Sequence, residues 1–179
     1  MLINTITKEQ IEEVAFKQLF PETSFPLELT DDHLAPFGHA VKNYSLTTPV
    51  VGVYQRLVES EPEMIDGKWW AQFDTVDMTP DEVAVVDKEI MVNIISDAQS
   101  LLDNFASERG YDGIISACSY SGSSIDKFAS EGCYAVIARD TTWSTLYTLL
   151  EQVEAGIKPK PTCFADVLPL LPSLSWPNT

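Results

Sequence analysis

Histidine is nearly missing: His33 and His39 are the only two, both in an N-terminal stretch of turns. A Ser–His or Cys–His nucleophile would have to draw on one of them, and no paired-histidine metal motif exists. Cysteine is scarce and odd in number: Cys118, Cys133 and Cys163. No two have the close spacing of a zinc knuckle or a redox pair. They read as small buried hydrophobes, or as a thiol left to bond another chain if the protein ends outside the cell. Basic residues are few, 11 Lys and Arg against 27 Asp and Glu, for a formal net charge of -16. That field repels phosphate backbones and anionic lipid heads, so neither nucleic acid nor a membrane surface is an expected partner. It serves solubility first and, more weakly, attraction to a basic protein surface.

No apolar run approaches the ~20 residues of a membrane-spanning helix. The start, Met1-Leu2-Ile3-Asn4-Thr5-Ile6, lacks the basic, apolar and small-residue pattern of a signal peptide. Synthesis and folding in a cytoplasm are therefore expected. There is no phosphate loop, dinucleotide fingerprint, internal repeat or low-complexity tract. The sequence assigns no catalytic residue, no metal ligand and no cofactor.

What is present is a chain of 179 residues, 45% hydrophobic, enough for one ordinary domain or two small units sharing a long helix. Thr7-Lys8-Glu9-Gln10 predicts a capping box opening a helix through Ile11, Val14, Ala15 and Leu19, stopped at Phe20-Pro21. Turns follow, with one helical turn expected at Asp32–Ala35. From Pro49 the period changes to two, with Val51, Val53 and Leu57 alternating against Gly52, Tyr54 and Arg56. Glu59–Pro62 reads as a break. Asp66-Gly67 then predicts a type I′ hairpin turn, with Ile65 opposite Lys68 and Met64 opposite Trp69. Trp69, Ala71 and Phe73 fall on one strand face, Trp70, Gln72 and Asp74 on the other.

Thr79-Pro80-Asp81-Glu82 is the clearest helix start: capping threonine, proline at the first helical position, acids in the first turn. Val83, Val86, Ile90, Ile94, Ala98, Leu101 and Phe105 continue it to Gly110, at a spacing nearer the globular helix than the left-handed coiled coil. Val85, Met91, Val92, Ile95 and Leu102 widen the stripe and predict a second contact surface. A short apolar segment at Ile114–Ser119 leads into a serine-rich loop. A helical pattern runs from about Asp126 to Ala155, with a kink or break plausible near Arg139–Thr142, and ends at Gly156. Phe164, Val167, Leu168 and Leu171 predict a last short helix, and the apolar tail at Trp176-Pro177 is expected to dock.

Three clusters invite chemistry. Ser119, Ser121, Ser123 and Ser124 surround Gly122 without the G-x-S-x-G elbow of a serine hydrolase, and Ser124 reads as the cap of the following helix. Asp31-Asp32-His33 reads as helix-capping charge before it reads as a metal site. Arg139-Asp140 with Trp143 reads as a helix-to-helix contact. A Cys118–His39 pair is conceivable, but nothing beside Cys118 would lower its pKa.

The segment Phe105-Ala106-Ser107-Glu108-Arg109-Gly110-Tyr111-Asp112-Gly113-Ile114-Ile115-Ser116-Ala117-Cys118-Ser119-Tyr120 resembles a domain of unknown function from tailed phages and prophages. That domain stands beside or fused to tail-fibre and tail-fibre-assembly proteins. The resemblance runs on through Lys127-Phe128, Glu131-Gly132, Ala138-Arg139-Asp140, Trp143, Val153–Gly156, Lys158-Pro159, Pro161-Thr162, Leu171-Pro172 and Trp176-Pro177. The front half is similar to the same phage proteins in Ser24-Phe25-Pro26, Leu34–Gly38, Gly67-Lys68-Trp69 and Val76–Thr79. The resemblance implies a viral protein of the virion tail, made in the host cytoplasm, and transfers no enzyme activity.

The expected fold is α+β: a small N-terminal helix-plus-hairpin unit at 1–79, a connecting helix at 80–110 and a helical C-terminal domain at 111–179. The expected function is structural or chaperoning, as a subunit of the tail fibre used in host attachment or as a fibre assembly chaperone. Phage tail-fibre or baseplate proteins are the expected partners, and an oligomer, with itself or with the fibre, the expected state. Trp69, Trp70, Val85, Val92, Ile95 and Trp176 are the candidate partner contacts. The rival expectation is a host-envelope-directed hydrolase using the serine-rich loop.

Overall fold

A computed structural model describes residues 1–44 and 48–177. The fold is α+β, and the chain divides into two compact units, Met1–Thr79 and Pro80–Thr179. The boundary falls immediately before the long helix, so that helix is an element of the second unit.

The first unit holds a five-stranded sheet in the order β2-β1-β3-β5-β4. Its strands are β1 (Leu2–Asn4), β2 (Gln10–Ile11), β3 (His39–Tyr44), β4 (Gln55–Ile65) and β5 (Lys68–Asp77). β3 runs parallel to β5 and the other neighbours are antiparallel. Thr7–Gln10 is not a capping box. The carboxamide of Asn4 accepts the Ile6 and Thr7 N–H groups at 2.9 Å each, and Lys8 turns through φ +62°, which folds β1 back onto β2. Helix α1 starts only at Glu13 and runs to Leu19. Its Phe16, wholly buried, lies within 6 Å of the rings of Phe20, Phe25, Phe37 and His39, and closes one sheet face with Leu2 and Leu34. Leu34 sits on α2 (Asp31–Leu34), which Thr30 and His33 cap reciprocally. The carboxylate of Asp31 accepts the Val41 N–H at 2.7 Å, so this acid anchors helix to strand and makes no metal cluster.

The Asp66-Gly67 hairpin forms in the expected register, Ile65 opposite Lys68 and Met64 opposite Trp69. Asp66 and Gly67 both take positive φ, +51° and +77°, as a type I′ turn requires. The strand before it differs from expectation at both ends. Residues 49–54 stay outside it, because the Gly52 carbonyl accepts the Gln55 N–H at 3.0 Å and makes a turn. Glu59–Pro62 lies inside it, where the pairing shifts between Ser60 and Glu63. Proline is tolerated there because β4 is the sheet edge and the irregularity absorbs it.

The second unit contains α3 (Pro80–Ser107), α4 (Ile114–Cys118), α5 (Asp126–Glu154) and α6 (Phe164–Val167). α3 ends on Gly110 at φ +82°, with the Tyr111 N–H returning to the Ala106 carbonyl. The Asp103 carboxylate on α3 then accepts the Ile114 N–H at 2.8 Å and fixes the start of α4. A 3-10 turn over Ser119–Gly122 crosses α5 at Gly132, where a Cβ would stand 2.3 Å from the Ser121 nitrogen. α5 is one continuous helix, without the expected break near Arg139–Thr142. The hydroxyls of Thr141 and Thr145 bond back to carbonyls four residues earlier, and Thr142 is packed out of solvent. Its cap is Ile125 and not Ser124. Gly156, at φ +70°, ends it as expected.

Candidate functional site

Two apolar clusters build the second unit. One joins Leu102 and Ala106 of α3 to Ile114, Ala117, Cys118 and Ala135, with Trp143 and Trp176 against it. The other joins Ile94 of α3, Leu149 of α5 and Val167 of α6, with Ile90, Leu146 and Val153 at its margin. The spacings Ile90–Ile94 and Leu146–Leu149–Val153 are those of one helix face, so two stripes meet along α3 and α5. They do not close completely. An apolar groove of about 500 Å³ runs between the helices, floored by Ile94 and Leu149. Its walls remain in solvent: Met91 is 46% exposed, Ile95 47%, Tyr147 67% and Leu150 37%. Asp87, Lys160 and Glu154 form its polar margin, and the Lys160 ammonium donates to Asp87 at 2.6 Å.

Beside the first cluster lies a buried charge. Glu131 on α5 is 1% exposed. Its Oε2 accepts the Tyr111 hydroxyl at 2.7 Å, and its Oε1 lies 3.6 Å from Nη1 of Arg109 with no hydrogen bond of its own. Burial, and then the Glu131 carboxylate, push the Tyr111 phenol up to about 12. Arg109 also covers the Trp176 ring. Trp176 stacks on Phe105 at 4.3 Å with the planes 8° apart, and its indole N–H donates to the Phe105 carbonyl at 3.2 Å. The tail therefore docks as expected, and it docks on its own unit.

The inner face of the sheet holds a second buried charge. The Lys42 side chain has no exposed surface and donates to Glu59 Oε1 at 2.6 Å and to Gln10 Oε1. Gln10 Nε2 donates to the same Glu59 oxygen at 2.9 Å, while Lys8 pairs with Glu61 at 2.8 Å. Side chains of β2 and β4, the two edges of the sheet, thus meet and curl it closed. Hydrogen bonding from Lys42 holds the Glu59 carboxyl below its usual range.

The sequence candidates fall in separate places. Trp69 is 8% exposed and packs on Ile3 and Ala40, its indole N–H without a partner. Trp70 is half-buried on the opposite face, beside Ile65 and Gln72 in a shallow depression. Of the five extra apolar residues on α3, Met91 and Ile95 line the groove and Leu102 is buried, whereas Val85 and Val92 are 59% and 56% exposed away from it. The groove's α5 wall, Tyr147 and Leu150, was visible as helix periodicity only. Nothing in that pattern says which apolar positions stay uncovered.

Two of the loop's serine hydroxyls are used locally: Ser119 donates to the Ser116 carbonyl and Ser123 accepts the Ile125 N–H. Both histidines belong to the first unit, and His39 is bonded to the Phe37 carbonyl. Arg139 pairs with Asp140 inside α5 at 2.8 Å, and Trp143 beside them packs against the cluster of Leu102 and Ala106 of α3, a helix-to-helix contact as expected. Cys118 is buried, and burial raises its thiol pKa; Cys133 and Cys163 are exposed. Among the described residues no three His, Cys, Asp or Glu side chains are grouped to hold a metal, and no helix is long and apolar enough to cross a membrane. No family model, curated protein or solved structure matches this chain.

Proposed function

We propose that this protein is a tail-fibre-associated component of a tailed phage, a fibre subunit or a fibre assembly chaperone, acting through protein–protein contacts. The observation that carries the reading is the open groove between α3 and α5. Isolated apolar side chains on a surface are ordinary, but Met91, Ile95, Tyr147 and Leu150 converge on one concavity with an apolar floor. Full burial of such a side chain is worth roughly 1.5–3 kcal/mol, and covering the part each still exposes gains a share of that, which favours a partner over solvent. The motif resemblance to phage tail proteins supplies the partner class.

Co-expression with the adjacent fibre gene, followed by affinity capture and sizing, tests this. A stable complex is the expected result. A protein that elutes alone from every fibre and baseplate partner of its own particle, and is missing from purified virions and from their assembly intermediates, sinks the reading.

A further inference from the structure

We propose that the α3–α5 groove receives an amphipathic α-helix whose apolar ridge is flanked by lysine or arginine. This rests on the reading that the protein works through protein contacts, and it names the chemistry of the partner segment. The choice of a helix follows from the walls. Both long walls are α-helices whose backbone groups are already bonded internally, so the groove offers no strand edge to an extended peptide. An extended segment would bury its own N–H and C=O groups against Met91, Ile94 and Leu150 with no partners, at a cost of kilocalories per group. A helix arrives with those groups satisfied. The wall from Asp87 to Ile95 is about 12 Å long at ~1.5 Å per residue, which matches two to three turns of a docked helix. An i, i+3/i+4, i+7 ridge fits that length.

The choice of basic flanks follows from charge. Glu154 is left as the margin's acid with no cation among the lining residues beside the Asp87–Lys160 pair, and acids outnumber bases in each unit of a chain whose net charge is -16. Lys160 is the one cation among the lining residues, and it is already bonded to Asp87. A second copy of this chain brings the same negative field to the contact, which disfavours self-docking. A lysine-flanked helix brings the complementary one.

The test titrates the full chain with three synthetic peptides of about 16 residues, which is long enough to span the groove. One has leucines at i, i+3/i+4, i+7 with lysines on the polar face. The second carries glutamates in place of those lysines. The third has the lysine peptide's composition with prolines placed to forbid a helix. Calorimetry should show the lysine peptide binding at least about tenfold more tightly than either other, and more weakly as salt rises. Ile95→Glu and Tyr147→Glu alter half-exposed side chains, so both variants should keep their helical circular dichroism while losing about tenfold in affinity. Equal binding of the glutamate peptide, or undiminished binding by both folded variants, overturns the proposal. A dimer of the free chain that Ile95→Glu disperses also overturns it, in favour of a second copy. If the fibre protein still co-purifies with the Ile95→Glu chain, this proposal falls and the fibre reading stands. If the lysine peptide binds the groove while no fibre protein associates, the fibre reading falls and the groove's chemistry stands.

Discussion

Lys42 and Glu59 form an ion pair from strands that are not neighbours in the sheet: β5 lies between β3 and β4, and the ammonium reaches Glu59 Oε1 at 2.6 Å across the concave face. The pair ties central strand β3 to edge strand β4 over the top of β5, and Gln10 of the other edge, β2, joins it at the same Glu59 oxygen. Its glutamate carries the pH dependence. A carboxyl held lower in the folded chain than in the unfolded one takes up its proton more readily when unfolded. Its contribution is therefore full above the unfolded value near 4.5 and is lost as pH falls through the lower folded value. Urea unfolding from pH 7 to pH 3 should show stability declining below about pH 4.5, with a shallower decline in Glu59→Gln.

Removing only the cation leaves the Glu59 carboxylate with Gln10 alone in a half-closed site. Lys42→Met should cost about 1–3 kcal/mol, and Lys42→Met combined with Glu59→Leu should recover part of it, because two matched apolar groups leave no stranded charge. Denaturation midpoints of the three variants decide this. A double variant no more stable than Lys42→Met contradicts it.

Gly132 is required by contact and not by backbone conformation. An alanine methyl would meet the Ser121 nitrogen at 2.3 Å and the Tyr120 carbonyl carbon at 2.5 Å, and both are backbone atoms that cannot swing aside. Gly132→Ala should destabilise the protein by about 1–3 kcal/mol although alanine is the better helix former. Thermal unfolding monitored by circular dichroism reads the sign directly, and a stabilised variant refutes the close approach.

Tyr111 should ionise near pH 12 in the folded chain, in place of the usual 10, when followed by ultraviolet absorbance. A raised phenol stabilises the fold fully below pH 10 and loses that contribution as pH rises from 10 towards 12. Glu131→Gln removes the carboxylate that assists burial, so the Tyr111 titration should move down. A titration that stays in place assigns the whole shift to burial.

Trp176→Ala removes an indole that stacks on Phe105 and donates to its carbonyl, so it should lower stability by about 2–4 kcal/mol. A tail serving only as a partner contact would lose binding and keep its melting temperature. Differential scanning fluorimetry of the free protein separates the two.

Local signals in the sequence translated well. Asp66-Gly67 set the hairpin register, Thr79-Pro80 set the start of α3, and Gly110 and Gly156 set two helix ends, each through geometry confined to a few residues. Non-local pairing was hidden. β3 reads poorly as a strand because its inward positions are Ala40 and Lys42, one small and one charged, and Lys42 is buried only because Glu59 and Gln10 meet it. Pro62 read as a break because a sequence does not announce which strand will be the edge. Nothing in the helical pattern marks Glu131 as buried, since its partner Tyr111 lies on a segment outside α5. The groove escaped for a related reason. Periodicity gives the apolar faces of α3 and α5 but not how far their packing closes.

β4, 11 residues long, is an edge strand that side chains of Gln10 and Lys8 reach, with no backbone ladder to a further strand among the described residues, and it is long enough to template one. Three glutamates, Glu59, Glu61 and Glu63, alternate along it around Pro62, and two of them are tied to Gln10, Lys42 and Lys8. Lys8 draws the Glu61 carboxyl below its ordinary value, so that guard stays charged in moderately acidic solution. Once acid neutralises all three, Pro62 and its irregularity are what remain to keep one sheet from adding to the next. Strong acid should therefore open β4 to strand addition from another copy, read as a rise in amyloid-dye fluorescence, at an edge remote in sequence from the α3–α5 groove.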